Sequence, residues 1–460
     1  MYSLFEIAIL TSPFSIVLLM LAVMPLIASR FWKKHEWTVL LSIALISVVC
    51  TYVKLPNFKE VMYHSLVDDY LPFIIMVFTL YVLSNGIHVK IKASSSTLTN
   101  TIFLGVGNIF ASLIGTTGAS VLLLHSFLAI NKGRQHKTHL VIFFILTMAN
   151  IGGMLTPLGD APILLGYLHG VDFEWSLVKL FPIWFVSTAI CMACFYLIDK
   201  FFLRKEREHI DTEAISTQVV DEVNTVLTDE AVDELSQECD GKSNRRFSIS
   251  ISGLGNVTLL LLTVVTLFVE FQDLIIGSIT ISHMLIRNML LLTFAAISLF
   301  TRKCNDIDFS PFSDVAKTFL VIFITIAPVV SILDINSDRI HALFMQMTDE
   351  TNVASVYFWI CSITSAFLDN APSYLLFFNI AGGDANALMS AYPNILVAIS
   401  SSSVIMGAIT YIGNAPNLIV RSIAEKRGIK MPSFIEYMAW AGAIILPIGV
   451  ILTLLIGWMY

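Results

Sequence analysis

The sequence predicts an all-α polytopic membrane protein, and three observations support this fold class. The chain of 460 residues is 56% hydrophobic and only 13% charged, whereas soluble domains are about one quarter charged. Its mean hydropathy is +0.79. Several apolar runs approach or exceed the ~20 residues that an α-helix needs to cross a bilayer. A soluble enzyme with a large core is therefore a poor alternative.

Apolar runs divide residues 1–203 into a first set of elements. Spans are predicted near 7–29, 37–53 and 70–88, followed by an apolar stretch at 101–130, a span with a Gly/Pro break at 139–168 and a last span at 176–199. The run at 7–29 is too long for the apolar region of a signal peptide and has no basic segment before it, so it is predicted to be a span.

A polar, acidic segment at 204–250 follows and holds 12 of the 34 acidic residues. Because it is also poor in aromatic residues, we expect short helices at most and no domain there. Residues 251–460 then form the second set of elements. Spans are predicted near 253–271, 283–301 and 314–333, followed by an apolar stretch at 353–381, a broken span at 393–424 and a last span at 436–459.

The two sets are related by an internal repeat. Residues 112–120 (SLIGTTGAS) align with 365–373 (SAFLDNAPS), at an offset of 253 residues. Residues 153–162 (GMLTPLGDAP) align with 407–416 (GAITYIGNAP) at an offset of 254, and five of these ten columns are identical. Two matches in the same order at nearly the same offset indicate a repeat rather than chance.

Positive charge predicts the orientation of the chain. Six groups hold 22 of the 27 Lys and Arg residues: Arg30/Lys33/Lys34, Lys90/Lys92, Lys132/Arg134/Lys137, seven within 200–250, Arg302/Lys303/Lys317 and Arg421/Lys426/Arg427/Lys430. By the positive-inside rule these loops, including the linker 204–250, are cytoplasmic, which leaves both termini outside.

The same rule predicts that the two apolar stretches are re-entrant hairpins. Basic groups flank 101–130 on both sides, so this stretch must enter and leave by the cytoplasmic face, with GTTG (115–118) at its tip. Acidic or neutral loops flank 353–381, so it enters from outside with DNAP (369–372) at its tip. Each repeat then has five spans, one of which is broken, and one hairpin. Because five is odd, the two repeats are predicted to be inverted.

Two carboxylates, Asp160 and Asp369, are the acids that the sequence places deep in the broken elements. A charge at the bilayer centre costs on the order of several kcal/mol unless it is paired or hydrated, so it marks a candidate functional site. Broken helices of inverted repeats form the sites of secondary transporters, where unwound carbonyls and helix ends bind ions. The other candidate ligands are Asn150, Thr156 and Gly159 in the first repeat, and Asn370, Thr410, Gly413 and Asn414 in the second.

Each candidate has a simpler alternative. Asp160 and Asp369 can cap half-helices or bridge a hairpin to the scaffold instead of binding Na+. Thr116 and Thr117 are either ligands or caps of the hairpin turn. The four serines at 400–403 are expected mainly to allow close helix packing.

Other residues are weaker candidates. His125 can relay protons, but a packed histidine is expected. Arg287 is expected to reach the membrane surface as an anchor. Cys191 and Cys194 match C-x-x-C, but packing is favoured over redox chemistry. The sequence has no Walker A motif, no H-E-x-x-H motif and no basic face. We therefore expect no enzyme activity, no nucleotide or nucleic acid partner, and no cofactor other than sodium and protons.

At these residues the chain resembles the ion transporter superfamily, which includes NhaD-type sodium/proton antiporters, arsenite permeases and citrate or dicarboxylate transporters. Ser365-x-x-x-Asp369-Asn370 resembles the second hairpin of NhaD-type antiporters, and Asn150 with Asp160 resembles their first broken helix. The string NIGGMLTPLGDAPILLGYLHG (150–170) resembles a bacterial subfamily labelled sodium:proton antiporter or citrate transporter.

The resemblance implies a homodimer in a bacterial inner membrane, with a scaffold and a mobile transport domain that works as an elevator. The chain departs from NhaD-type antiporters at Thr116 and Thr117, where they carry acids, and it lacks the Ser-Asn-Thr motif of dicarboxylate members. Na+/H+ exchange on intramembrane carboxylates is the favoured function. The alternative is sodium-coupled citrate or dicarboxylate symport. A membrane enzyme or a structural protein would explain neither the repeat nor the breaks.

Overall fold

The computed structural model describes residues 4–224, 248–269, 274–276, 279–301, 309–347, 353–367 and 369–460. Most of these residues are helical, which confirms the all-α polytopic prediction. Seven helical segments in the described ranges are long and apolar enough to cross a membrane, and shorter apolar helices accompany them.

The elements before the linker follow the predicted order. They are α1 (Leu4–Ile27), α2 (Ser29–Lys54), α3 (Phe58–Tyr63), a π-helix (His64–Tyr70), α4 (Leu71–Asn85), β1 (His88–Lys92), α5 (Thr97–Ile114), α6 (Thr116–Ile130), α7 (Thr138–Thr147), a 3₁₀ turn (Ile151–Met154), α8 (Ala161–Leu168) and α9 (Phe173–Asn224).

The second set also keeps the predicted order. Its elements are β2 (Ser248–Ser252), α10 (Leu254–Phe268), β3 (Leu274–Ile276), β4 (Ile279–Ile281), α11 (His283–Thr301), α12 (Ser310–Met347), α13 (Val353–Phe367), α14 (Asn370–Ile380), α15 (Ala385–Ser390), α16 (Pro393–Met406), a 3₁₀ turn (Gly407–Ile409), α17 (Ala415–Lys426) and α18 (Phe434–Met459).

Several helices are longer than the apolar runs that predicted them. The third span begins at Phe58 rather than near residue 70, because the polar segment HSLVDDY continues the helix as a π-helix. Helix α9 continues to Asn224, so the first part of the predicted linker is helical. Residues 225–247 of that linker lie outside the described residues.

Two short β-ladders were not predicted from the sequence. Strand β1 pairs antiparallel with β2, with His88 opposite Ser252 and Lys92 opposite Ser248. This ladder joins the end of α4 to the end of the linker, so these two segments lie on the same side of the molecule, as the charge distribution predicts. Strands β3 and β4 form a separate antiparallel hairpin between α10 and α11.

Both broken spans lie in the interior of the protein. Every residue of 139–160 is buried, and so is every residue of 395–411. A helix that is apolar on all sides is a core helix, which is the pattern of α7 and of most of α16. Protein therefore surrounds the non-helical backbone of both breaks, the condition under which such backbone is tolerated at membrane depth.

Candidate functional site

The tip of each hairpin docks on the break of the following span. Helix α5 ends at Gly115, whose positive φ of 85° favours glycine, and the Thr116 amide then donates to the Gly159 carbonyl at 2.8 Å. In the second half, the Asn370 amide donates to the Gly413 carbonyl at 3.2 Å. The same backbone bond therefore closes both sites, at an offset of 254 residues.

Hydroxyl groups reinforce this docking in both halves. The Thr156 hydroxyl donates to the Ser112 carbonyl, and the Thr410 hydroxyl donates to the Ala366 carbonyl at 2.5 Å. The Ser365 hydroxyl donates to the Ser403 carbonyl at 2.6 Å. These bonds satisfy carbonyls in the last turns of α5, α13 and α16, where helical partners run out.

Glycines are required because two backbone segments meet inside each break. A Cβ on Gly159 would lie 2.3 Å from the Gly153 carbonyl oxygen, and a Cβ on Gly413 would lie 2.7 Å from the Gly407 carbonyl oxygen. Both distances are shorter than van der Waals contact. The glycine pair is therefore conserved between the halves for a steric reason and not for its φ angle.

Asp160 is the centre of the polar network. Its side chain is 8% exposed, and it precedes α8 as the N-cap residue. Oδ1 accepts hydrogen bonds from the Thr116 hydroxyl at 3.2 Å and from the Ala161 amide at 3.1 Å. Oδ2 accepts from Asn370 Nδ2 at 2.7 Å and Asn414 Nδ2 at 3.1 Å. One oxygen thus binds the first half and the other binds the second.

A chain of amides continues from Asp160 into the core. Asn414 Nδ2 also contacts the Asn150 side-chain oxygen at 3.2 Å, and Asn150 Nδ2 donates to Asn417 Oδ1 at 2.8 Å. Asn417 in turn donates to the carbonyls of Gly407 and Thr410, both at 2.9 Å. The network ties the two breaks together. Asn417 is the member that sequence reasoning missed.

Asp369 and Asn370 face the site differently from Asp160. Asp369 is partly exposed and precedes α14. Asn370 is only 1% exposed, and its Oδ1 has no hydrogen-bond partner among the described residues. Because the amide nitrogen of Asn370 must face the Asp160 carboxylate, the free atom is an acceptor. A buried acceptor without a donor is available to a cation or a water.

A cavity of about 140 Å³ lies beside this network. Its polar wall contains Thr116, Thr117, Gly159, Asp160, Asp369, Asn370 and Asn414. Its apolar wall comes from α4 and α12, through side chains such as Phe73, Leu80 and Phe319. The described residues that line it include two carboxylates and no Lys, Arg or His. The charges of the lining side chains therefore favour positive over negative solutes.

Helix dipoles act in the opposite sense. Helices α6, α8, α14 and α17 all begin at residues that line the cavity. Each N-terminus carries about half a positive charge. The two carboxylates and the four N-termini therefore nearly balance, and protonation or sodium binding at one acid would change the sign of the local field.

The structure brings most of the predicted site residues together. Asp160, Thr116, Asn370, Asn414 and Asn150 form one hydrogen-bonded network, as described above. The side chains of Thr156 and Thr410 instead bind backbone carbonyls, so their role in the structure is to hold the hairpins. The Gly159 and Gly413 carbonyls accept the hairpin amides. Thr117 lines the cavity.

The weaker candidates have mixed outcomes. Residues 400–403 are all buried, and the Ser401, Ser402 and Ser403 hydroxyls bond within their own helix, which supports packing. Cys191 is buried and Cys194 partly buried, and both thiols are free. The expectation of a packed His125 was wrong: it is exposed, and its Nδ1 lies 2.5 Å from Arg427 Nη2.

The expectation for Arg287 was also wrong. This residue is 9% exposed and does not extend to a surface. Its Nη1 donates to the Tyr167 hydroxyl at 3.3 Å, and its guanidinium lies 5.3 Å from the centre of the Tyr167 ring. The direction of the Arg287 side chain depends on its neighbour Tyr167, and the position of Arg287 within its own helix does not reveal that neighbour.

Two further buried acids were missed because one lies at the end of a predicted span and the other at the start of the predicted linker. Asp199 and Glu206 are 0% and 4% exposed. Arg134 joins them, with Nη2 2.8 Å from Asp199 and Nε 2.9 Å from Glu206. His139 Nε2 also lies 2.9 Å from Asp199. This cluster ties the loop after the first hairpin to α9 and is separate from the central cavity.

Paired broken helices around a buried polar centre, within a polytopic helical membrane protein, define a secondary transporter. Residues 5–457 match the model of a protein family described as "Putative citrate transport", and the chain belongs to that family. This match confirms the predicted relation to the ion and citrate transporters. No individual curated protein matches the chain.

Proposed function

We propose that the protein exchanges Na+ for H+ and that both ions compete for the Asp160 carboxylate. The observation that carries this proposal is the bonding of Asp160, whose two oxygens are held by donors from opposite halves of the molecule. An ion that replaces these donors changes the contact between the halves. Ion occupancy can thereby be coupled to movement.

The side-chain charges of the cavity support a cation as the transported ion. Asp160 and Asp369 line it, and its described lining has no basic side chain. A hard cation such as Na+ binds carboxylate, amide and backbone oxygens, by analogy with the oxygen ligands of other hard cations. Asn370 Oδ1 and the Asp369 carboxylate are the available ligands beside Asp160.

The two walls of the cavity suggest how the site moves. The polar wall belongs to the hairpins and broken spans, which are bonded to one another. The opposite wall, from α4 and α12, is mostly apolar: Phe73, Leu80 and Phe319 are among its side chains, and Tyr81 and Ser84 of α4 are its polar members. An apolar wall offers few polar bonds to break during sliding. We therefore propose that the hairpins and broken spans form the mobile unit of an elevator, in a homodimer whose scaffolds meet.

The test uses purified protein in liposomes that contain a pH dye. A proton-loaded lumen is prepared, and Na+, Li+ or K+ is added outside without citrate. Exchange predicts that Na+ makes the lumen alkaline and that Asp160→Asn liposomes do not respond. A wild-type protein that is inactive with sodium alone would contradict the proposal.

A second candidate is sodium-coupled uptake of citrate or another carboxylate. The convergence of four helix N-termini at the cavity favours it, since helix N-termini bind anions, and the family description agrees with it. In this case sodium ions at Asp160 and Asp369 would neutralise the acids before the anion enters. Uptake of labelled citrate that requires sodium, without any response to sodium alone, would favour this candidate over exchange.

A further inference from the structure

A second cavity, of about 550 Å³, lies away from the central site and borders Arg287. It is formed by the end of α8 and the start of α9, by the end of α10, and by the start of α11. Its lining residues Leu168, Gly170 and Met284 also line a neighbouring polar cavity of about 660 Å³. The two cavities therefore adjoin each other, and neither shares a lining residue with the central one.

The guanidinium of Arg287 is only partly used by the protein. Nη1 contacts the Tyr167 hydroxyl, while Nε and Nη2 are buried and have no hydrogen-bond partner among the described residues. These two nitrogens form one edge of the planar group, the edge that binds a carboxylate through two parallel hydrogen bonds. A buried cation without a counter-charge is unfavourable, so the empty edge calls for an anionic partner.

Tyr167 holds this edge in place. Its hydroxyl donates to the Leu267 carbonyl at 2.9 Å and accepts from Arg287, and its ring packs against the guanidinium. The arginine is thus fixed by Tyr167 of α8, the helix that follows the first break, and Tyr167 is itself held by the Leu267 carbonyl of α10. A pre-oriented guanidinium loses less conformational entropy on binding than a free one.

Two acids line the same cavity, but they do not occupy the edge. Asp172 and Glu174 are exposed, and neither is a partner of Nε or Nη2. Water and salt screen exposed charges, whereas the buried guanidinium keeps its field. His283 is also exposed at this cavity. The positive charge therefore dominates at the buried end.

We propose that Arg287 binds a small carboxylate in this second cavity, at a site separate from Asp160. The ligand forms two parallel hydrogen bonds to Nε and Nη2 of Arg287, and Tyr167 holds the guanidinium in register. The proposal does not depend on Na+/H+ exchange, because it concerns a different cavity and can be tested without sodium.

The test is calorimetric titration of the purified protein with the N-methylglucamine salt of citrate, in sodium-free buffer at constant ionic strength. The wild-type protein and Asp160→Asn are expected to bind citrate with the same affinity. Arg287→Lys keeps the charge but cannot form the two parallel hydrogen bonds, so citrate affinity should fall at least about tenfold. Arg421→Lys is the matched control, since Arg421 pairs with Glu425 elsewhere, and it should leave the affinity unchanged.

Three results would overturn the proposal: no citrate binding to the wild type, equal binding to Arg287→Lys, or loss of binding in Asp160→Asn alone. Sulfate that competes as well as citrate would also contradict it, because other oxyanions can accept the same two hydrogen bonds and the site would then be a general oxyanion site.

Glu174→Gln tests whether an internal acid is the true partner of Arg287. Citrate affinity should remain or rise in this variant. If Arg287→Lys has no effect on citrate affinity even in the Glu174→Gln background, citrate does not contact Arg287 and the proposed site does not exist.

Hydrogen exchange of the wild type provides a readout without any variant. Citrate should protect residues 167–174 and 283–287, and protection confined to residues around 115–118 and 159–161 would contradict the proposal.

Discussion

The two halves of the molecule share a backbone frame but exchange the positions of their acids. In the first half, the hairpin tip carries Thr116 and the broken span carries Asp160. In the second half, the hairpin tip carries Asp369 and Asn370, and the broken span carries Asn414. The hairpin amide bonds the break carbonyl in both. The repeat therefore sets the geometry, while single side chains decide which half holds the charge.

The consequence is that the two acids have different surroundings. Asp160 is enclosed by four donors from both halves, whereas Asp369 is partly exposed at the cavity. An enclosed carboxylate exchanges its donors only when an ion or a movement replaces them. A partly exposed one can meet an ion from the cavity directly. Under the proposed exchange, we therefore expect Asp160 to couple ion binding to movement and Asp369 to meet entering ions.

Substitution of the acids should give the largest effects. Asp160→Asn should abolish sodium-dependent transport, because the amide can neither release a proton nor provide a charged ligand. Asp369→Asn should reduce transport but not abolish it. Initial rates in dye-loaded liposomes, normalised to the amount of reconstituted protein, measure both. Full activity of Asp160→Asn, or complete loss in Asp369→Asn alone, would break the distinction between the acids.

Substitution of the paired glycines should have the next largest effect. Gly159→Ala places a methyl group 2.3 Å from the Gly153 carbonyl oxygen, and Gly413→Ala places one 2.7 Å from the Gly407 carbonyl oxygen. We expect both to lower the melting temperature in detergent and to impair transport. Gly105→Ala is the control, since nothing lies within 4 Å of its added Cβ. Neutral behaviour of Gly159→Ala would show that the breaks can open freely.

The threonine pair should give a smaller difference. Thr156→Val removes the bond to Ser112 and the one from the Leu158 amide. Thr410→Val removes the bond to Ala366 and those from the amides of Ile412 and Gly413. Each buried polar group left without a partner costs about 1–3 kcal/mol. Thermal unfolding should therefore show Thr410→Val as the less stable variant, and the reverse order would be inconsistent with these bonds.

Deletion of residues 211–240 should have the smallest effect. The deleted segment contains the end of α9 and part of the acidic linker, and the described residues that line the central cavity lie elsewhere in the chain. We expect transport rates close to those of the intact chain in the same liposome assay. A folded but inactive deletion variant would assign a structural or regulatory role to the linker.

The sequence predicted the spans and breaks because these depend on local properties. Span length follows from hydrophobicity, and a Gly and Pro pair around Asp160 marks a break wherever it lies. The repeat also located Asn414, the equivalent of Asp160, and Asp369, which lies at the equivalent hairpin tip. The π-helix at 64–70 was not predicted, because the polar residues of HSLVDDY resemble a loop in the sequence.

The partners of each side chain could not be predicted in the same way. The bonds from Asn370 and Asn414 to Asp160 join residues more than 200 positions apart. The burial of Arg287 depends on Tyr167, and the cluster of Arg134, Asp199 and Glu206 depends on how α9 packs against the preceding loop. Such contacts arise from tertiary packing, which hydropathy and spacing do not encode.

Sodium binding to the purified protein as a function of pH tests the shared role of Asp160 most directly. If Na+ and H+ compete for one carboxylate, the apparent sodium affinity should fall by about tenfold for each unit by which the pH is lowered, once protons occupy the site. One proton should be released per sodium bound in that range. Calorimetry in buffers of different ionisation enthalpy measures both quantities, and Asp160→Asn should show neither. Sodium binding that is independent of pH, or that persists unchanged in Asp160→Asn, would contradict the account.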